Sequence, residues 1–120
     1  MSVILVVEDD KSLRDSVEWL IRDMGHHVLL ASDLDGALGH LSAPASIDAL
    51  FVDMRLDSSA LGGCEVADRA IFLRPGLRVL YTSGQPLTPE IARHLVRGGM
   101  FLEKPYSLAH LEKSVDALLH

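Results

Sequence analysis

The chain has 120 residues, 48% of them hydrophobic and 23% charged, enough for one domain with a single core and with no apolar run long enough to cross a bilayer. A net charge of −6 with scattered Lys and Arg argues against direct nucleic-acid binding, which leans on phosphate neutralisation. The lone Cys64 rules out an internal disulfide, and the absence of a basic leader before the first apolar run leads us to expect a cytoplasmic protein.

Val3–Val7 is a continuous aliphatic run, as in a strand buried on both faces. Asp10 is placed to cap a helix over roughly Lys11–Met24, whose apolar stripe is Leu13, Val17, Leu20, Ile21 and Met24, with Gly25 as the stop. His27–Ala31 reads as a second strand. Asp33 caps a second helix to about Leu41, and after Pro44 a third strand covers Ala49–Val52. Leu56–Gly63 reads as a loop and Cys64–Phe72 as a short helix stopped by Pro75-Gly76. Leu77–Thr82 is the fourth strand. Pro89 opens a helix expected to run to about Arg97, and Gly98-Gly99 ends it. Met100–Glu103 is the fifth strand, and Ser107 caps a last helix with apolar positions Leu108, Leu111, Val115, Leu118 and Leu119. Five strands alternating with five helices predict an α/β fold, a doubly wound parallel sheet spanning residues 1–120 as one domain.

In such a sheet the C-terminal strand ends share one edge, and ligands bind there. Three of those ends carry chemistry: Glu8-Asp9-Asp10, Asp53 and Lys104-Pro105. Clustered carboxylates beside one lysine suit a hard divalent cation, with a carboxylate left over to react.

The chain resembles the receiver domain of two-component response regulators along its whole length. The resemblance rests on Val6-Val7-Glu8-Asp9-Asp10, Phe51-Val52-Asp53-Met54-Arg55-Leu56, Tyr81-Thr82-Ser83-Gly84 and Phe101-Leu102-Glu103-Lys104-Pro105. Each segment is weak alone; their order and spacing carry the signal. The resemblance implies a flavodoxin-like sheet of order 2-1-3-4-5. It implies Asp53 as phosphoacceptor and Asp9 as a direct ligand of Mg²⁺ (or Mn²⁺), with Glu8 acting beside it and the Arg55 backbone carbonyl completing the metal set. Lys104 would pair with a phosphoryl oxygen, and its peptide bond to Pro105 would be cis. Ser83 would be the switch hydroxyl, with Thr82 as the alternative one residue earlier, and Phe101 the switch aromatic. Implied partners are a histidine kinase or histidine phosphotransfer protein, and a downstream protein or output domain outside this chain. The wording is nearest to receivers of hybrid sensor kinases or single-domain regulators.

Bland alternatives stand beside these roles. Asp53 alone would read as a turn cap, Arg55 as a solvated loop charge and Phe101 as a core residue. Asp10 reads as a helix cap rather than a ligand. Trp19 lies off the first helix's stripe and is expected to pack against the last helix; the other reading is an exposed docking residue. Met54, Arg55 and Gln85 are placed to shape access to the pocket. One departure from the family is Asp57 after Leu56, where proline is usual, in a loop one or two residues long for the family. It supports a competing reading, a pseudo-receiver that binds partners without phosphorylation. A flavodoxin is disfavoured because three acids replace its phosphate loop. A haloacid-type phosphatase is disfavoured because Arg55 stands where its second aspartate belongs.

Overall fold

The computed structural model describes residues 2–120. The strands are β1 (Val3–Val7), β2 (His27–Ala31), β3 (Ala49–Asp53), β4 (Arg78–Ser83) and β5 (Met100–Glu103). The helices are α1 (Lys11–Asp23), α2 (Leu34–Ser42), α3 (Gly62–Leu73), α4 (Pro89–Ala92) and α5 (Leu108–Leu119). All strand pairs are parallel, in the order β2-β1-β3-β4-β5, so the predicted doubly wound sheet is the observed one.

Strand side chains alternate between two faces, and each face is sealed by helices. Leu5, Val7, Leu50, Val52, Val79 and Tyr81 pack with Leu41 of α2 and Ala67 and Ala70 of α3. Ile4, Val6, Phe51 and Leu80 pack on the other side with Val17 and Ile21 of α1 and Leu111 and Val115 of α5. A strand lined on both faces has no polar side to spare, which is why β1 and β3 read as unbroken apolar runs. Each fully buried aliphatic side chain contributes roughly 1.5–3 kcal/mol to this arrangement.

The caps act as the sequence predicts. Asp10 accepts from the Leu13 amide, Asp33 from Gly36 and Ser107 from His110, each satisfying an amide the helix cannot. Several boundaries differ. β3 gains Asp53, β4 runs one residue later than expected, and α3 starts two residues earlier, at Gly62. Helix α4 stops at Ala92 rather than near Arg97. Beyond it the chain tightens into turns, with His94 N–H bonded to Ile91 O at 2.9 Å. The Val96 amide donates to the Tyr81 hydroxyl at 2.9 Å instead of to a carbonyl one helical turn back, so this segment is tied to β4.

Two apolar positions were misplaced. Leu108 faces outward rather than into the core, 51% exposed in the first turn of α5. Trp19 is 65% exposed on α1, which agrees with the exposed reading rather than the packed one.

Candidate functional site

The C-terminal ends of β1, β3 and β5 bring Glu8, Asp53 and Lys104 together although they span most of the chain. Glu8 and Asp53 are buried, whereas neighbouring Asp9 is exposed. Carboxylate oxygens of Glu8, Asp9 and Asp53 lie within 4.8 Å of one another. The Lys104 ammonium stands 3.3 Å from Glu8 Oε1 and 3.3 Å from Asp53 Oδ2, so one cation bridges two buried acids. These are charge-assisted contacts, and without Lys104 two carboxylates would share a poorly hydrated site. The peptide bond between Lys104 and Pro105 is cis.

Burial raises the Glu8 carboxyl to about 7. The Asp53 charge adds to the rise, while the Asp10 amide and Lys104 oppose it. The Asp10 N–H donates to Glu8 Oε2 at 3.1 Å, and the Asp10 side chain is occupied by its helix cap.

The two serine-threonine candidates differ in setting. Thr82 is fully buried, and its hydroxyl has no hydrogen-bond partner among the described residues. Ser83 Oγ accepts from the Gln85 amide at 3.0 Å. Ser83 also lines a cavity of about 310 Å³ with Met54, Arg55, Ala60, Gly84 and Gln85. Arg55 and Gln85, which share this cavity wall, are both exposed. Met54 is almost wholly buried, its sulfur 3.7 Å from Cys64 Sγ. Phe101 is half-buried and packs against the α2–α3 side of the core, in register with Tyr81.

The unusual loop after β3 closes on itself. Leu56 and Ser59 exchange backbone hydrogen bonds of 3.1 and 2.9 Å. Asp57 and Ser58 between them both take positive φ, 50° and 66°, the feature of a tight primed hairpin turn. The turn aims the Asp57 amide at Asp9 Oδ2, 3.2 Å away. The departure at Asp57 therefore adds a donor to the acid cluster from its backbone. Next to it, Gly63 donates to Met54 O at 2.8 Å. A Cβ there would sit 2.1 Å from Asp53 O, so only glycine lets α3 begin so close to the end of β3.

Sequence reasoning missed Tyr106. Its hydroxyl is buried without a partner among the described residues. Burial, with the charges of Glu8 and Asp53, pushes it up to about 12. Tyr106 follows Lys104-Pro105 directly, and its ring packs against the α1–α5 side of the core. Arg14 was also missed; its Nη1 donates to the Glu8 carbonyl oxygen at 2.8 Å.

The five-stranded parallel sheet of order 2-1-3-4-5, with three acids and a lysine at the edge where such sheets bind ligands, is the flavodoxin-like receiver fold. The response regulator receiver domain family matches residues 4–116, and the chain belongs to that family. It is 30% identical over 120 residues to the nitrogen assimilation regulatory protein NtrX of Azorhizobium caulinodans, covering 96% of this chain. It spans only 26% of that relative's length. Among solved structures it is similar to a response regulator receiver protein from Sinorhizobium medicae WSM419, with a TM-score of 0.87 and 30% identity. That match covers 98% of this chain and 94% of the other. It is also similar to NtrX from Brucella abortus, with a TM-score of 0.86 and 30% identity over 98% of this chain and 27% of that one. Among the described residues no helix is long and apolar enough to cross a membrane.

Proposed function

We propose that this receiver domain of a two-component system, taken as residues 1–120, accepts a phosphoryl group on Asp53. The observation that carries the reading is the convergence of Glu8, Asp9 and Asp53 oxygens within 4.8 Å, with Lys104 3.3 Å from both Glu8 and Asp53. The donor set is all hard oxygen, which suits Mg²⁺ (or Mn²⁺). Asp9, Glu8 and Asp53 would hold the ion with the Arg55 carbonyl, and when bound it supplies positive charge against which an anionic phosphoryl group can approach.

The chain's own groups do the rest. An Asp53 carboxylate oxygen attacks phosphorus, forming an acyl phosphate P–O bond. The P–N bond of a donor phosphohistidine breaks, and the imidazole keeps the electron pair and takes up a proton. Lys104 is within reach of the Asp53 carboxylate and can pair with a phosphoryl oxygen. Ser83 lies at the cavity wall, where its hydroxyl can exchange the Gln85 amide for the phosphoryl group; fully buried Thr82 is the weaker choice. Phe101, beside Tyr81, is the aromatic whose position would follow Ser83. The phosphoryl group then biases a partner-binding surface. The upstream partner is a histidine kinase or phosphotransfer protein, and the output lies in a downstream protein or domain. The pseudo-receiver alternative is disfavoured because Asp53, Asp9 and Lys104 are all present and converge.

The test is intact mass after incubation with Mg²⁺ and a small acyl phosphate or phosphoramidate. The reading expects one added phosphoryl group, lost with chelator and in Asp53→Asn. A folded wild type that binds Mg²⁺ yet gains no mass would favour the binding-module reading.

A further inference from the structure

The turn between β1 and α1 carries Glu8 and Asp9, and its backbone is anchored on both sides. The Glu8 amide donates to Ala31 O of β2 at 3.1 Å. The Glu8 carbonyl lies beyond the last residue of β1 and is met instead by Arg14, whose Nη1 donates to it at 2.8 Å. Arg14 is half-buried, and no ion pair engages it among the described residues. Among the described residues its guanidinium is engaged by a backbone carbonyl rather than by a carboxylate.

That choice has a geometric consequence. The Glu8 carbonyl and the Asp9 amide belong to one rigid peptide plane. Holding the oxygen fixes the rotation of that plane and so the direction in which Asp9 leaves the backbone. Asp9 is exposed, and the Asp57 amide donates to its Oδ2 at 3.2 Å, so its side chain has little packing to orient it. We infer that Arg14 is a positioning residue for the acid cluster, setting the Glu8–Asp9 peptide so that both carboxylates face a common cation. The inference rests on the cation-assisted reading of this site given above.

The sign of the effect separates positioning from simple charge. An arginine near the site repels a divalent cation, so if charge alone mattered, removing it would tighten Mg²⁺ binding. If Arg14 orients the ligands, removing it weakens binding, roughly ten- to a hundredfold for a group that positions a metal ligand from behind.

The experiment compares this chain with Arg14→Met, which keeps the apolar stem, and Arg14→Lys, which keeps the charge and one donor. Mg²⁺ affinity is read by calorimetry, and amide exchange is followed in metal-free protein. Arg14→Met should bind Mg²⁺ at least roughly tenfold more weakly, exchange the Asp9 and Asp10 amides faster than the core amides change, and be partly rescued by Arg14→Lys. Affinity equal to or tighter than wild type in a folded Arg14→Met protein would overturn the inference, as would an exchange increase spread uniformly over the chain. If Arg14→Met does not fold, Arg14→Lys decides: weaker Mg²⁺ binding with local loosening at Asp9 supports positioning, and tighter or unchanged binding overturns it. If the wild type binds no Mg²⁺ and takes no phosphoryl group, the site reading itself fails, a result distinct from any behaviour of the variants.

Discussion

Gly63→Ala places one methyl group at the junction of α3 and β3, and its cost can be worked from the contacts. The new Cβ would lie 2.1 Å from Asp53 O, 2.8 Å from Asp53 C and 2.9 Å from Met54 Cα. All three are backbone atoms of the strand end that carries Asp53, so no side chain can swing away. Relief requires α3 to retreat by about 1 Å or more, since nonbonded heavy atoms settle near 3.5 Å. That movement stretches the 2.8 Å bond from Gly63 N–H to Met54 O. Overpacking of this kind costs about 1–3 kcal/mol, and loss of the hydrogen bond about 1 kcal/mol more. The expected destabilisation is therefore about 2–4 kcal/mol, a large part of a small domain's stability. The assay is urea unfolding with Gly39→Ala alongside. Gly39 lies inside α2 with no atom within 4 Å of its would-be Cβ, so that change should be neutral or stabilise by up to about 1 kcal/mol. A Gly63→Ala protein within about 0.5 kcal/mol of wild type would refute the close approach of α3 to Asp53.

Three other outcomes follow from the contacts. Glu8 is raised from 4.5 to about 7, so the folded state holds this proton more tightly than the unfolded chain. Its stabilising contribution is complete below about pH 4.5 and is lost as pH rises through 7. In metal-free buffer the wild type should lose up to about 3 kcal/mol across that window, and Glu8→Gln should lose distinctly less; parallel pH profiles from chemical denaturation would contradict this. Arg74 donates to Leu41 O, Ala43 O and Ala45 O at 3.1, 2.6 and 2.7 Å, tying the chain after α2 to the end of α3. Arg74→Ala should cost about 2–4 kcal/mol, most of it kept by no single-donor replacement, as thermal unfolding of Arg74→Lys would check. Tyr81→Phe removes the acceptor of the Val96 amide while leaving the ring. It should destabilise by about 1–2 kcal/mol and speed exchange of the Val96 amide selectively; an unchanged Val96 amide would dissociate Tyr81 from the segment after α4.

The βα alternation was legible because each unit carries local punctuation. Asp10, Asp33 and Ser107 cap helices, Gly25 and Pro75-Gly76 stop them, and buried strands need unbroken apolar runs. The end of α4 was not legible, because the segment beyond it is tied to the Tyr81 hydroxyl of β4. Nor was the outward turn of Leu108, since helical spacing marks a stripe but not where its first turn leaves the core. Trp19 failed for the same reason: a residue off the stripe has no local signal for a partner. In the site, Glu8, Asp53 and Lys104 were found because strand ends converge by topology. The supporting groups were hidden. Asp57 reaches Asp9 through its amide, which every residue but proline has, and only the backbone of the 57–58 turn aims it. Arg14 acts on a carbonyl, which sequence patterns do not record.

On the proposed function Asp53, and no other carboxylate in the cluster, should receive the phosphoryl group. The most direct measurement is borohydride reduction of the phosphorylated protein followed by peptide mass spectrometry, since reduction converts an aspartyl phosphate to homoserine. The account predicts homoserine at position 53 alone, in protein treated with donor and Mg²⁺. Homoserine at Asp9 or Asp57 instead, with Asp53 intact, would contradict it.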